Sequence, residues 1–275
     1  MPELPEVECI ARGLREGTQA LPPLPGQRIV RASLRWQRHI AQPPPNTFRR
    51  RIRGRTILDV RRRGKFLVFP LDEGTMLIHL RMSGDLEMAP RGSPPGLYDR
   101  TVFFFEAPWE LRFSDARKFG KVHLLSDPQD VLGALGPEPL DDGFTAKKFA
   151  ARLAQYRRML KPLLLDQHFI AGLGNIYVDE SLHRAGIHPL RRSDSLQVDE
   201  VHALWRSIRA SLRTGLRHNG ASIDWVYRGG SFQNRFRVYQ RAGKPCSRCI
   251  TPIERIVVAQ RGTYLCPRCQ PEKAR

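Results

Sequence analysis

Residues 246–269 read CSRCITPIERIVVAQRGTYLCPRC, a stretch in which 16 residues separate two Cys-x-x-Cys pairs. Each pair can place two thiolates on one tight turn, and two such turns complete a tetrahedral zinc site with Cys246, Cys249, Cys266 and Cys269 as ligands. Two disulfides are the alternative, but nothing in the sequence indicates a secretory context. Because protein supplies all four ligands, we predict one structural Zn²⁺ that provides folding energy for a short basic hairpin.

The whole chain is strongly basic. Its 275 residues include 46 Lys and Arg against 27 Asp and Glu, which gives a formal net charge of +19. An excess of this size favours a polyanionic partner, and nucleic acid is the usual one because its counterions are released on binding. A solvated basic surface, a ribosomal role and a role at a membrane surface are the alternatives. We therefore expect nucleic-acid binding.

The positive charge is concentrated in two stretches. Residues 49–65 hold nine basic residues against one acid, Asp59, and residues 225–253 hold six basic residues and no acid. Two basic stretches so far apart in sequence suggest two lobes that grip one polyanion. No run approaches the ~18 apolar residues of a membrane span, and the N-terminus does not have the pattern of a signal peptide. The cytosol is therefore the expected compartment.

Periodicity and turn residues predict an α+β chain of two domains. Apolar spacing predicts a helix over residues 3–17, and a linker is expected at 136–142. Between them, short β-rich runs predict an antiparallel sandwich or barrel, with strands at 56–60, 66–71, 75–80, 101–106, 110–113 and 121–125 and a loop at 89–96. Beyond the linker, the patterns predict helices at 147–156, 160–166, 177–185 and 199–218, followed by short strands within 236–269.

The chain opens with MPELPEVE. Met followed by Pro is a good substrate for removal of the initiator methionine, which would expose the secondary amine of Pro2. An α-amino group has a pKa of roughly 7.7–8.0, so an environment that lowers it makes a nucleophile at neutral pH. Attack on an aldose carbon would give an iminium, and the neighbouring Glu3 and Glu6 could move protons. The alternative is that Pro2 and Pro5 only begin a helix.

Three further motifs have chemistry that suits DNA. The turn GLGN at 172–175 could offer backbone amides to a phosphate, although an ordinary turn between helices is the alternative. The turns RMSG at 81–84 and DARKFG at 115–120 carry Met, Arg and Phe side chains. Apolar wedges and an Arg are what a base-flipping protein needs to fill the hole it leaves, although Met82 and Phe119 taken singly are more often core residues.

Together these stretches resemble the formamidopyrimidine-DNA glycosylase family over nearly the whole chain. The resemblance rests on ten segments, which are PELPEVE at 2–8, RRGKFL at 62–67, HLRMSG at 79–84, DARKFG at 115–120, LGPEPL at 135–140, KPLLLDQ at 161–167, GLGNIYVDESL at 172–182, AGIHP at 185–189, VYQRAGKPC at 238–246 and QRGTYLCPRCQ at 260–270.

The resemblance implies a fold and a partner. It predicts an N-terminal β-sandwich with flanking helices at 1–135, a helix–two-turn–helix DNA-binding domain at 140–230 and a zinc-finger hairpin at 236–270. Double-stranded DNA with a damaged base would lie between the lobes of a protein that we expect to be a monomer. The resemblance also implies a bacterial cytoplasmic enzyme associated with the nucleoid through DNA.

The implied activity is that of a base-excision repair glycosylase with AP lyase activity. Pro2 would attack C1′ of an oxidised purine nucleotide, 8-oxoguanine or a formamidopyrimidine, and Glu3 would act as acid and base. Lys65 matches the lysine assigned to β-elimination and phosphate binding, and one more phosphate contact is the alternative for it. Arg261 matches the arginine assigned to δ-elimination, although a guanidinium stays charged and phosphate positioning suits it better.

The resemblance also implies DNA contacts. Met82, Arg117 and Phe119 match residues that enter the base stack and face the orphan cytosine, and Asn175 matches a phosphate contact. Further contacts are implied at Tyr98, Arg157 and Lys161. Two departures stand out, since members often have His at the position of Tyr98 and the segment between 219 and 239 is a few residues shorter here. The shorter segment bears on which base is preferred.

Two other functions remain open at this point. A sister class excises oxidised pyrimidines with the same N-terminal proline and architecture, although PELPEVE and the Met82, Arg117 and Phe119 set favour the purine class. A zinc-dependent DNA-binding protein without catalysis would explain the charge and the cysteines. It would not require Pro2, Glu3 and Lys65 together.

Overall fold

The computed structural model describes residues 1–223, 227 and 229–272. The chain divides into two compact units. Unit 1 comprises Met1–Ala134 with Asn219–Gly230, and unit 2 comprises Leu135–His218 with Ser231–Arg275. Arg228, one of the basic residues counted in the second basic stretch, lies outside the described residues.

Unit 1 begins with helix α1, Leu4–Glu16, within the range that the sequence predicted. Glu3 caps the helix in extended conformation, and the carboxylate of Glu6 accepts a hydrogen bond of 2.8 Å from the Glu3 amide. This reciprocal arrangement satisfies donors that a helix N-terminus otherwise leaves unpaired. Gly17 ends the helix with a φ of 70°, a conformation that glycine adopts without strain.

Among the described residues of unit 1, nine strands and two further α-helices follow α1. The elements are β1 (Ile29–Leu34), β2 (Ile40–Gln42), α2 (Pro45–Ile52), β3 (Arg61–Arg63), β4 (Phe66–Pro70), β5 (Thr75–His79), β6 (Gly84–Pro90), β7 (Asp99–Phe105), β8 (Trp109–Asp115), β9 (Lys121–Leu125) and α3 (Gln129–Leu132). One sheet has the order β1-β7-β8-β6 and the other β2-β9-β5-β4-β3. All neighbours are antiparallel except β2 and β9.

The core of unit 1 lies between these elements. Its buried side chains come from both sheets and from α1 and α2, and they include Val7, Phe48, Leu67, Phe103 and Phe113. Alternation of buried and exposed residues along β6 follows the two-residue period of a strand that buries one face. The predicted α+β class with an N-terminal sandwich is thereby confirmed.

Three predictions about unit 1 need correction. Residues 56–60 do not form a strand, because Thr56 and Ile57 make only isolated bridges. The sequence did not predict helices α2 and α3 or strands β1, β2, β3 and β6. Helix α2 (PNTFRRRI) buries only Phe48 and Ile52 among basic residues and therefore reads as a charge run. Residues 89 and 90, predicted as loop, end strand β6.

Unit 2 contains helices and one hairpin. Its elements are α4 (Ala146–Leu153), α5 (Leu160–Leu165), α6 (Asn175–Ala185), α7 (Val198–Arg217), β10 (Glu254–Val258) and β11 (Arg261–Leu265). All four helices were predicted within three residues at each end. Helix α6 ends at Gly186 in the left-handed conformation, and Gln197 with Glu200 forms a capping box for α7.

Strands β10 and β11 form the hairpin that carries the cysteine pairs. They pair antiparallel with Val258 opposite Arg261, so the turn between them consists of Ala259 and Gln260. Both turn residues have positive φ, 45° and 62°, as the twist of two-residue hairpins favours. Arg261 therefore stands directly after the turn. Among the described residues, no helix has the length and apolar composition needed to cross a membrane.

Candidate functional site

The N-terminal residues are enclosed by unit 1. Pro2 is buried, Glu3 and Glu6 are each 2% exposed, and only Met1 of this segment is exposed. Helix α1 packs on strands β3, β4 and β6, which fixes the position of Pro2 at its start. Pro2 is therefore buried at the start of α1, next to the two buried carboxylates of Glu3 and Glu6.

Glu6 connects the start of α1 to the loop that follows residue 218. Its Oε1 accepts a hydrogen bond of 2.7 Å from the amide of Ala221. Gly220 lies so close that a Cβ built on it would stand 2.7 Å from the same oxygen, and its φ is 76°. Only glycine fits both requirements. Sequence reasoning noted Glu6 as a proton carrier and missed this anchoring contact, which depends on a partner 215 residues away.

Lys65 lies in the two-residue turn between β3 and β4 and is 5% exposed. The same hairpin is tied to α1, because the Nε of Arg62 lies 2.8 Å from Oε2 of Glu8 in a mostly buried ion pair. The turn that carries Lys65 and the helix that begins after Pro2 are thus held as neighbours.

His79 at the end of β5 is a candidate that sequence reasoning did not single out. Its Nδ1 accepts a hydrogen bond of 3.0 Å from the amide of Arg81, so its Nε2 carries the hydrogen. Burial and the positive charges of Arg81 and Lys65 lower the pKa of His79 to about 3. The ring is therefore a neutral donor beside Lys65. The sequence signal for His79 was its position at the start of HLRMSG, one of the ten segments that carry the family resemblance.

The predicted wedge residues, Met82, Arg117 and Phe119, lie on two adjacent turns. Phe119 is 50% exposed and Met82 is half-buried, and the guanidinium of Arg117 stacks over the Phe119 ring with its carbon 5.1 Å from the centroid. Tyr98 is 47% exposed. A phenylalanine that packs in a core is buried, and half of the Phe119 side chain is exposed. The alternative that Phe119 is a core residue is therefore excluded.

Unit 2 brings Asn175 and the hairpin together. Asn175 at the first turn of α6 donates a hydrogen bond of 2.9 Å from Nδ2 to the carbonyl of Gly262, the neighbour of Arg261. Arg261 itself is exposed, as is Arg157 between α4 and α5. Asn175 and the hairpin arginine therefore lie on joined elements.

Lys161 corrects a prediction. It was expected to contact DNA, but it is fully buried, and its Nζ lies 2.6 Å from Oδ1 of Asp179 and 3.1 Å from the carbonyl of Gly262. A side chain enclosed in this way cannot reach a phosphate. Asp179 also accepts from the amide of Tyr264, so the pair joins α5, α6 and β11. Its role is to hold the hairpin.

Glu180, the next residue on α6, is another missed anchor. Its buried carboxylate accepts hydrogen bonds of 3.0 Å from each of the amides of Arg237, Val238 and Tyr239. Burial raises the pKa of Glu180, and these three donors oppose the rise. The consecutive acids in DESL were the sequence signal, since buried charges need partners.

The four predicted zinc ligands converge. The Sγ atoms of Cys246, Cys249, Cys266 and Cys269 lie within 4.8 Å of one another. The Cys249–Cys266 separation is 3.4 Å and the Cys246–Cys269 separation is 3.9 Å, close to the ~3.8 Å expected for thiolates about 2.3 Å from one tetrahedral zinc. The donors fit one structural zinc ion. The ring nitrogen Nε2 of His183 lies 3.5 Å from the Cys246 Sγ, which is close enough for a hydrogen bond between the imidazole and that thiolate.

Comparison with protein families agrees with this architecture. The chain matches the formamidopyrimidine-DNA glycosylase N-terminal domain over residues 1–122 and the formamidopyrimidine-DNA glycosylase H2TH domain over 135–226. Residues 243–271 match the zinc finger found in FPG and IleRS.

Relatives and solved structures cover the full length. The formamidopyrimidine-DNA glycosylase of Chloroflexus aggregans is 46% identical over 279 aligned residues, with 98% of each chain covered. The Lactococcus lactis Fpg (MutM) in complex with DNA containing N7-benzyl-Fapy-dG superposes with a TM-score of 0.91 at 36% identity, covering 98% of this chain and 100% of that one. A MutM complex with DNA containing carbocyclic 8-oxo-G gives a TM-score of 0.90 at the same identity and coverage.

The fold, the zinc hairpin and these matches define a DNA glycosylase of base-excision repair. The chain belongs to the formamidopyrimidine-DNA glycosylase family. The family assignment made from the ten sequence segments is confirmed.

Proposed function

We propose that this protein excises oxidised purines from DNA and cleaves the resulting abasic site through a Schiff base on Pro2. The observation that carries the proposal is the buried Pro2 at the start of α1, with Glu3 and Glu6 beside it and the Lys65 turn packed on the same helix. Burial disfavours the charged form of an amine, so this environment favours the nucleophilic form.

The proposed reaction begins after removal of Met1. The Pro2 nitrogen attacks C1′, the bond from C1′ to the base breaks, and the base leaves with a proton. The attached nitrogen then loses its proton. Its lone pair forms the double bond to C1′ as the bond from C1′ to the ring oxygen breaks, and Glu3 protonates that oxygen, which leaves an iminium between Pro2 and C1′.

The iminium is an electron sink that permits two eliminations. Removal of a C2′ proton expels the 3′ phosphate, and removal of a C4′ proton then expels the 5′ phosphate, which leaves a one-nucleotide gap. Lys65 would serve the first step and bind phosphate. Arg261 would position a phosphate for the second, because a guanidinium stays charged and is a poor proton donor.

The DNA contacts are part of the same proposal. Met82, Arg117 and Phe119 would enter the stack when the lesion is flipped out, and Tyr98 would contact the duplex nearby. Asn175, Arg157 and His79 would donate hydrogen bonds to phosphates. The division into a sandwich domain at 1–135, a helical domain at 140–230 and a finger at 236–270 is retained in this proposal, as is a monomer acting on damaged double-stranded DNA.

The substrate proposal is supported by the relatives. The Lactococcus lactis structure contains DNA with N7-benzyl-Fapy-dG, and the MutM structure contains DNA with carbocyclic 8-oxo-G. Both lesions are oxidised or ring-opened purines. Oxidised pyrimidines are the second candidate, since the segment between 219 and 239 is a few residues shorter than in many members of the family.

The test is to mix the protein with a duplex carrying 8-oxoguanine opposite cytosine and add borohydride, which reduces the iminium to a stable amine. We expect a covalent band that maps to Pro2 and disappears in Pro2→Gly. A band with an oxidised pyrimidine or an abasic site, but none with 8-oxoguanine, would assign the chain to the pyrimidine class. No band from protein shown to lack Met1 would leave only a DNA-binding role.

A further inference from the structure

Asp115 at the end of β8 is a buried charge with an unusual number of donors. Its side chain is 0% exposed. Oδ1 accepts from the hydroxyl of Ser83 and, at 3.2 Å, from the amide of Arg117. Oδ2 accepts from the amide of Gly120 at 2.7 Å and lies 3.3 Å from the Nε2 of His39. All four groups that face this carboxylate are donors.

These donors come from the two turns that carry the wedge residues. Ser83 belongs to the 80–84 turn and follows Met82 directly. The Arg117 and Gly120 amides belong to the 115–120 turn, which carries the side chains of Arg117 and Phe119. The hydroxyl oxygen of Ser83 also accepts a hydrogen bond of 2.9 Å from the Arg117 amide. Two hydrogen bonds therefore join the turns, one from Ser83 to Asp115 and one from Arg117 to Ser83.

The backbone of Asp115 is hydrogen-bonded to Tyr98, the other candidate DNA contact near these turns. Its amide donates a hydrogen bond of 2.9 Å to the carbonyl of Tyr98. Its carbonyl accepts a bond of 3.0 Å from Nε of Arg100, whose guanidinium carbon lies 5.7 Å from the centroid of the Tyr98 ring. The segments that carry Met82, Tyr98, Arg117 and Phe119 are therefore all hydrogen-bonded to one residue.

His39, which contacts Oδ2 of Asp115, is itself held in place by neighbouring side chains. The side chain is 0% exposed, its Nδ1 lies 3.3 Å from Oγ1 of Thr101, and its ring packs 4.6 Å from the ring of Phe113. With Nε2 donating to Asp115, Nδ1 is left to accept from the Thr101 hydroxyl. Despite burial, which alone would raise it, donation from His39 and Ser83 lowers the pKa of Asp115 to about 2.

We propose that Asp115, supported by His39, is a positioning residue that fixes Met82, Tyr98, Arg117 and Phe119 in one rigid arrangement before DNA binds. The physical gain is preorganisation. Two exposed turns would otherwise have to be ordered at the moment of insertion, and that ordering costs free energy on binding. The inference rests on the proposed function, in which these side chains fill the space left by a flipped base.

Asp115→Asn is the direct test, because it keeps the shape and replaces one acceptor oxygen with a donor amide that faces other donors. We expect excision of 8-oxoguanine from duplex DNA to fall at least tenfold. Borohydride trapping on a single-stranded abasic oligonucleotide, which has no stack to fill, should stay within about twofold of wild type. A 2-aminopurine beside the lesion should report slower or incomplete unstacking.

Ser83→Ala provides a second variant in case Asp115→Asn does not fold. It keeps the buried charge and removes one connection between the turns, so a smaller loss with the same selectivity for duplex DNA is expected. Asp127→Asn is the matched control, because the carboxylate of the exposed Asp127 accepts a hydrogen bond from the Gln129 amide at the start of α3, away from the wedge turns. It should leave both assays unchanged.

Two results would overturn the inference. Equal losses on duplex and single-stranded DNA in both variants would mean that the network only stabilises the fold, and unchanged duplex excision would mean that the turns need no such support. Failure of the proposed function itself gives a different pattern, since wild type would then form no covalent band with either DNA.

Discussion

The Nζ of Lys161 lies 2.6 Å from Oδ1 of Asp179, and both side chains are almost fully buried. A buried ion pair contributes little net stability, but removal of one partner leaves an uncompensated charge and costs about 3–5 kcal/mol. Since Lys161 also donates to the carbonyl of Gly262, the pair connects the helices to the residue that follows Arg261.

We therefore predict that Lys161→Met destabilises the protein by about 3–5 kcal/mol, measured by urea unfolding. The double variant Lys161→Met with Asp179→Leu should regain most of this loss because no charge remains buried. In folded protein, the dependence of DNA affinity on salt should stay as in wild type, because an enclosed lysine displaces no counterion.

Arg157→Ala is the control, since Arg157 is exposed. If it binds a phosphate, the slope of log affinity against log salt should fall by about 0.9 with no change in stability. A reduced slope in Lys161→Met at unchanged stability would show that Lys161 contacts DNA directly and that the burial described above is not maintained.

Zinc should be required for the hairpin. We predict one zinc per chain and loss of the metal in Cys266→Ser, because Cys266 is a fully buried member of the ligand set. Structural zinc sites bind with about 10–16 kcal/mol of free energy, which here would stabilise a hairpin with little apolar core. The measurements are zinc content by a colorimetric chelator and protease resistance of residues 243–271.

Cys9→Ser serves as the matched control for the zinc prediction. Cys9 lies on α1, where burial raises the pKa of its thiol, and it belongs to unit 1 rather than to the ligand set. This variant should keep its zinc and its hairpin. A Cys266→Ser protein that retained one tightly bound zinc would contradict the four-ligand site.

Much of this molecule could be predicted from sequence, and the failures have physical causes. Helices such as α7 show a clear 3.6-residue period because one face is buried, and the cysteine pairs show their function through spacing alone. Helix α2 escaped because its buried residues are few and lie among arginines, and strand β1 (IVRASL) escaped because Arg31 and Ser33 interrupt a short apolar run.

Burial and long-range contacts were the features that local sequence did not contain. Lys161 reads as a surface cation until its partner Asp179, which is 18 residues away, is seen beside it. The bond from Ala221 to Glu6 and the contacts of Ser83 with Asp115 and Arg117 join residues far apart in sequence, so no local pattern could reveal them.

Gly220 should be intolerant of a side chain. We predict that Gly220→Ala slows borohydride trapping on abasic DNA about tenfold or more, because the new Cβ would meet Glu6 and force either the loop or the start of α1 to move. Left-handed φ adds about 1–2 kcal/mol of strain in any non-glycine residue. The measurement is the single-turnover trapping rate.

Gly92→Ala separates the two effects. Gly92 has a φ of 86°, but a Cβ there would meet nothing within 4 Å. It should lose stability from strain alone and keep the trapping rate. If both variants trapped at the wild-type rate, contact between Glu6 and this loop would be irrelevant to the chemistry.

His79 should remain neutral throughout the working pH range. Its pKa is about 3 in the folded protein against about 6.5 in the unfolded chain. The unfolded state therefore binds more protons between these values. The contribution to stability is complete above pH 6.5 and is lost as the pH falls towards 3, at up to about 1.4 kcal/mol per pH unit.

We predict ring carbon NMR signals of His79 that do not titrate between pH 8 and 5, and a weaker loss of stability on acidification in His79→Asn. His202→Asn, at an exposed position of α7, is the matched control for replacement of an imidazole by an amide. A His79 signal that titrates near pH 6.5 would mean that the ring is solvated and charged at mildly acidic pH, and its role would then be that of a cation beside Lys65 rather than a neutral donor.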